Sequence, residues 1–216
     1  DAAGNTSVGI SRALLAGINR LKAGDVITIS MGYTGTAGID GKEISVPIAY
    51  NSDEAAIIRT ATQKGIYVLV SAGNSSTDYN NSALFGTGYI TKAYGSSGTN
   101  DPGHYLIGAA SPGAWCSSIM GYGNLAAGSR LPFSSYGSRV SPAAWGACVM
   151  SAGNSVYNFS NTAGVLNDDY TFFFNGTSAA APEVAGLVAS FSSAFQEKNK
   201  FALSPADLYK KLVETG

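Results

Sequence analysis

In the stretch NGTSAAAPEVAG, Asn175 to Gly186, Ser178 stands between a Gly-Thr turn and a helix-like run. A hydroxyl there has two chemistries open to it. It can cap the helix by accepting a backbone N–H. It can also attack a carbonyl, because a helix start offers unpaired N–H groups and a positive dipole end to the oxyanion that forms. A nucleophilic serine needs a base, a group that orients the base, and donors for the oxyanion. The backbone N–H of Ser178 supplies one donor. Asn74 is a candidate for a second, because it ends the apolar run IYVLVSAGN at the carboxyl edge where α/β folds build their sites. The plainer reading of Asn74 is a turn residue after Gly73.

The elements that would position these two residues follow from periodicity. In SVGISRALLAGINRLKAG, the residues Ile10, Leu14, Ile18 and Leu21 recur at helical spacing, and Gly24 ends the run. DVITIS, Asp25 to Ser30, reads as a strand. The stretch MGYTGTAGIDGKEISVPIAY reads as a loop, followed by a helix with Asn51 as cap, Glu54 at the reciprocal capping-box position and a stop at Lys64-Gly65. IYVLVSAGN is then a strand. Further strands are expected at His104–Ala110 and Ala147–Ala152, with loop-rich chain containing PFSSYGSRV between them. NSVYNFSNTAGVLNDDYTFFFNG reads as an antiparallel hairpin turning near Asn167 and Asp168. The Ser178 helix and a last helix, capped by Ser204 with Pro205 in its first position, complete the chain. Alternating helices and near-continuous apolar strands predict an α/β fold, three-layered, with a mostly parallel sheet covered on both faces. The Gly/Ser/Asn-rich piece from Ser75 to Asp101 is long for a structureless loop, which marks it as an insertion.

Composition narrows the function classes. At 216 residues, the chain suits one domain. Charged residues are 12% of it, about half the usual share, and the net charge is −1, so nothing points to nucleic acid or an anionic membrane. No apolar run reaches the ~18 residues of a membrane span. Cys116 and Cys148 are too few for a structural zinc site; they read as one disulfide of a secreted protein, with two buried thiols as the alternative. The chain opens at Asp1 without a methionine, so the expectation is that translation began upstream.

Taken together, the motifs resemble the subtilisin-like proteases (subtilases). NGTSAAAPEVAG is similar to that family's serine motif, VLVSAGN to the strand that ends in its oxyanion Asn, and DVITISMG to the strand lining its substrate cleft. LIGAA, PFSSYGSRVSPAAWG and LSPADLYKKLVETG match later segments in the same order, leaving 33–50, 75–101 and 112–130 unmatched. The resemblance implies Ser178 as nucleophile and Asn74 as oxyanion donor. It also implies that the backbones of Ser30, Met31 and Gly32 on one side, and of Ala72 and Gly73 on the other, flank an extended peptide that adds as a strand. Tyr33 stands where the family often has a second glycine, which bears on the pocket's shape. Structural calcium is common among subtilases, but no Asp/Glu cluster here assigns its ligands, and no other cofactor is expected.

The base is what the chain lacks. Its one histidine, His104, lies in DPGHYLIGAA, after the oxyanion Asn, whereas subtilisin-like chains run Asp, His, Ser. His104 therefore reads as a partly exposed residue near a turn. Both triad partners are expected upstream of residue 1, on a complementary N-terminal chain made by a cut in one precursor. DVITIS would be an unpaired edge without it. The leading expectation is a secreted serine endopeptidase whose residues 1–216 form the C-terminal part of one catalytic domain, acting on peptide or protein and nearly inert alone. A degenerate scaffold that only binds, and an acid-active sedolisin-type enzyme, are the alternatives; the second would carry an Asp where Asn74 stands.

Overall fold

A computed structural model of the chain describes residues 2–36, 43–152 and 170–215. Four parallel strands form its central sheet in the order β1 (Val26–Ile29), β4 (Tyr67–Ser71), β5 (Tyr105–Ala110), β6 (Val140–Trp145). Helices α1 (Ala2–Arg20) and α2 (Ser52–Gln63) cover one face, and α5 (Thr177–Asn199) with α6 (Pro205–Thr215) covers the other. The alternation of side chains along each strand assigns them to the two cores. Val68, Val70 and Leu106 face α1 and α2, whereas Tyr67, Leu69, Tyr105 and Ile107 face α5 and α6. Every residue of β4 is buried, which is why its sequence is apolar in all but its last residue, Ser71.

The helix boundaries follow local chemistry. Asn51 caps α2 by accepting the Asp53 N–H at 2.9 Å, and Lys64 with Gly65 (φ +83°) closes it. Glu54, expected in a capping box, is fully buried and takes the Ser11 hydroxyl at 3.0 Å, tying α1 to α2. Leu14 and Ile18 of α1 are buried as their spacing predicts. Ser204 accepts the Asp207 N–H at 3.1 Å and Pro205 opens α6.

Three expectations need correcting. The loop after Gly32 contains an antiparallel hairpin of β2 (Gly32–Thr36) and β3 (Glu43–Pro47). The stretch read as loop-rich supplies β6, the fourth strand of the sheet. Pro142 is tolerated there because β6 lies at the edge, where an N–H can be spared. The strand expected at Ala147–Ala152 is instead β7 (Val149–Ala152), which pairs antiparallel with β8 (Tyr170–Phe174) in a separate ribbon. β8 falls within the second arm of the hairpin expected over residues 154–176, whose first arm and turn at Asn167 and Asp168 lie outside the described residues. The Ser75–Asp101 piece is far from structureless. It carries the short helix α3 (Ser82–Phe85) and sends Tyr79, Phe85 and Ile90 into the core.

Cys116, in the short helix α4 (Ala114–Ile119), is joined to Cys148 by a disulfide. Among the described residues β1 pairs with β4 alone, so its other side is an open sheet edge.

Candidate active site

Ser30 after β1, Asn74 after β4 and Gly146 after β6 all leave the carboxyl edge of the parallel sheet, and α5 begins against them. Gly146 O accepts the Gly176 N–H at 2.9 Å, fixing the entry into the helix. Gly176 (φ +98°) is the residue before α5 and has no side chain to cap it. Its Cβ, were there one, would lie 3.0 Å from Asn74 Nδ2, so glycine is required both by the backbone and by the close approach.

Asn74 provides the cap from another element. Its Oδ1 accepts the Thr177 N–H at 2.9 Å and the Thr177 hydroxyl at 2.9 Å. Thr177 Oγ1 in turn accepts the Gly73 N–H at 3.0 Å. Two donors fill the carbonyl side of the amide, which leaves Nδ2 beside Gly176 as the free donor. Ser178 is the second residue of α5, so its N–H has no intrahelical acceptor. Ser178 does not cap its own helix. Its carbonyl takes the Ser30 hydroxyl at 3.2 Å, which ties the turn to the end of β1.

Ser178 and Asn74 open into one cleft of about 260 Å³. Ser30, Met31 and Gly32 line it on one side and Gly73 on the other. Ala72 is different: fully buried, it does not line the cleft. Its carbonyl is held 2.5 Å from the hydroxyl of Tyr79, a buried residue whose pKa desolvation raises, so it stays a neutral donor.

His104 is no partner for this serine. Rather than being partly exposed, it is fully buried at the amino end of β5, opposite the edge where Ser178 lies. Burial, and next the Arg139 charge, push its pKa well below 6.5. Arg139 itself is buried, donates to the His104 carbonyl at 2.5 Å and pairs with Asp101 at 3.0 Å. Among the described residues no three His, Cys, Asp or Glu side chains gather as a metal site, and no helix is long and apolar enough to cross a membrane.

Sequence reasoning passed over Thr177, Gly176 and Tyr79. The first two sit within the quoted Asn-Gly-Thr-Ser run, so their signal was present. Tyr79 lay unremarked in a Ser/Asn-rich stretch.

The chain matches the subtilase family over residues 3–216, and it belongs to that family. Its fold is similar to that of a cold-adapted subtilisin-like serine proteinase (21% identity, TM-score 0.57, covering 94% of this chain and 52% of that one). It is also similar to a lanthipeptide protease (18%, TM-score 0.64, covering 97% and 58%). A third likeness is to the prenylagaramide maturation protease PagA (17%, TM-score 0.58, covering 97% and 57%). The chain thus spans little more than half the length of these solved structures. No curated protein matches it in sequence.

Proposed function

We propose that this chain is the serine-bearing part of a subtilisin-like endopeptidase, with Ser178 as nucleophile and Asn74 Nδ2 and the Ser178 N–H as oxyanion donors. The observation that carries the reading is the clamp on Asn74. An amide locked by the Thr177 N–H and hydroxyl has its donor end set beforehand, and preorganised donors are what lower the cost of a developing oxyanion. The peptide lies along the backbone of Ser30–Gly32 and Gly73, attack gives an acyl-enzyme on Ser178, and water releases it.

The proton acceptor and its orienting Asp come from a complementary N-terminal segment. One observation supports this: His104, the chain's one histidine, is buried at the far end of β5. The open side of β1 is where such a segment would continue the sheet. The Cys116–Cys148 bridge favours an oxidising, extracellular setting. The burial of His104 away from Ser178 also favours one other reading, a scaffold that binds peptides without cutting them.

Co-expression of the chain with the segment encoded before it, followed by a peptide hydrolysis assay, separates the two. The hydrolase reading expects the two pieces to co-purify and cleave, with cleavage abolished by Ser178→Ala. Peptide binding without turnover in the complete protein would leave the scaffold.

A further inference from the structure

The β2–β3 hairpin forms a wall of the cleft, and its two faces differ in chemistry. Tyr33 and Ile44 pack against the core, Val46 packs there and also lines the cleft, as Met31 does, and Thr34 and Ser45, paired directly across the ladder, line it with their hydroxyls. Ser71 and Ser75 line the opposite wall. Among the described residues, no group takes up the hydroxyls of Thr34, Ser45 or Ser75. Among the described residues, no charged side chain lines the space.

The hairpin is also held in position. Tyr79 brings its hydroxyl to 3.0 Å from Ser45 O and 2.5 Å from Ala72 O, bridging β3 to the turn that carries Asn74. A Cβ on Gly73 would lie 3.0 Å from Ser45 Oγ, so β3 and the turn that carries Asn74 already approach closely in the cleft.

We infer that this hydroxyl-lined wall selects an uncharged, hydrogen-bonding side chain (Ser, Thr, Asn or Gln) on the substrate residue that enters beside Ser178. The inference rests on the peptidase reading and adds the substrate class. A charged side chain would be desolvated there with no counter-ion among the described residues. An apolar one would strip water from the serine and threonine hydroxyls and return no bond. A hydroxyl or amide meets both walls.

The test uses the full-length protein carrying Ser178→Ala and short Ala/Gly peptides with one varied residue at successive positions. Binding is read by fluorescence polarisation. At one position, Thr should bind about ten-fold tighter than its isostere Val, and Asn tighter than Leu, as neutral hydrogen bonds allow. The double variant Thr34→Val/Ser45→Ala should bring the Thr:Val ratio to about one. Ser45→Asp should gain affinity for Lys peptides, a gain that a misfolded protein cannot give. Preference for aromatic or charged residues, or an unchanged Thr:Val ratio in the double variant, overturns the inference. Cleavage of the same peptides by the active protein is scored separately. Selective binding without cleavage would keep the pocket and remove the hydrolase; cleavage without this selectivity would do the reverse.

Discussion

Thr177→Val removes one oxygen atom and keeps the side chain's shape, which isolates the clamp on Asn74. The change deletes two hydrogen bonds, from Gly73 N–H to Oγ1 at 3.0 Å and from Oγ1 to Asn74 Oδ1 at 2.9 Å. Each is worth about 0.5–1.5 kcal/mol. Gly73 is half-buried, so water can recover part of its loss, and the expected fall in stability is about 1–2 kcal/mol. Asn74 keeps the Thr177 N–H at 2.9 Å but loses the second bond that fixes its amide. Losing about 1 kcal/mol of orienting energy lowers the aligned population by no more than ~10-fold, so kcat should drop ~3–10-fold with KM little changed. That is well short of the ~10²–10³ measured for removal of the oxyanion Asn from a subtilisin, a relative whose value is borrowed as the ceiling. The assay is steady-state hydrolysis by the complete protein carrying Thr177→Val, Asn74→Ala, or both. If the hydroxyl acts through Asn74, adding Thr177→Val to Asn74→Ala costs no further kcat. Additive losses, or an unchanged kcat with lowered stability, would refute the reasoning.

Other predictions follow from single features. His104 is neutral when folded, with a pKa well below 6.5. The unfolded chain therefore takes up a proton first as pH falls below 6.5, and stability is lost at about 1.4 kcal/mol per pH unit until the folded pKa is reached. Urea denaturation between pH 7 and 4.5 should show this extra slope in wild type and not in His104→Phe. Gly176→Ala forces a residue into φ +98° and a contact 3.0 Å from Asn74 Nδ2; about 1–3 kcal/mol of strain should appear in denaturation, with kcat falling towards the Asn74→Ala value. The Cys116–Cys148 bridge closes a separation of 32 residues; chain entropy puts the loss in Cys116→Ser/Cys148→Ser at about 3–4 kcal/mol, measurable as a lowered urea midpoint.

How much of this was legible in the sequence depended on how far each signal was local. β4 was plain because a strand buried on both faces must be apolar throughout, and Tyr67–Ser71 is nearly so. The Asn51 and Ser204 caps were plain because their partners lie a few residues away. Ser178 and Asn74 were legible as a pair only through the family motif, since the bonds that unite them through Thr177 span more than a hundred positions. The β2–β3 hairpin was hidden by its small polar residues, as half of it faces a cleft rather than a core. β6 was hidden by Pro142, which signals a break unless the strand is known to be an edge. His104 looked exposed because polar residues near turns usually are, and nothing local announces that Arg139, thirty-five positions on, will close over its backbone.

The most direct measurement is the rate at which a fluorophosphonate probe labels Ser178 in the isolated chain and in the chain joined by its N-terminal segment. In a subtilisin, loss of the triad's base costs ~10⁶ in kcat. Labelling should therefore be fast in the complete protein, absent in Ser178→Ala, and slower by orders of magnitude in residues 1–216 alone. Equal rates with and without the segment would mean that the chain activates its own serine, and the account of a divided site would be wrong.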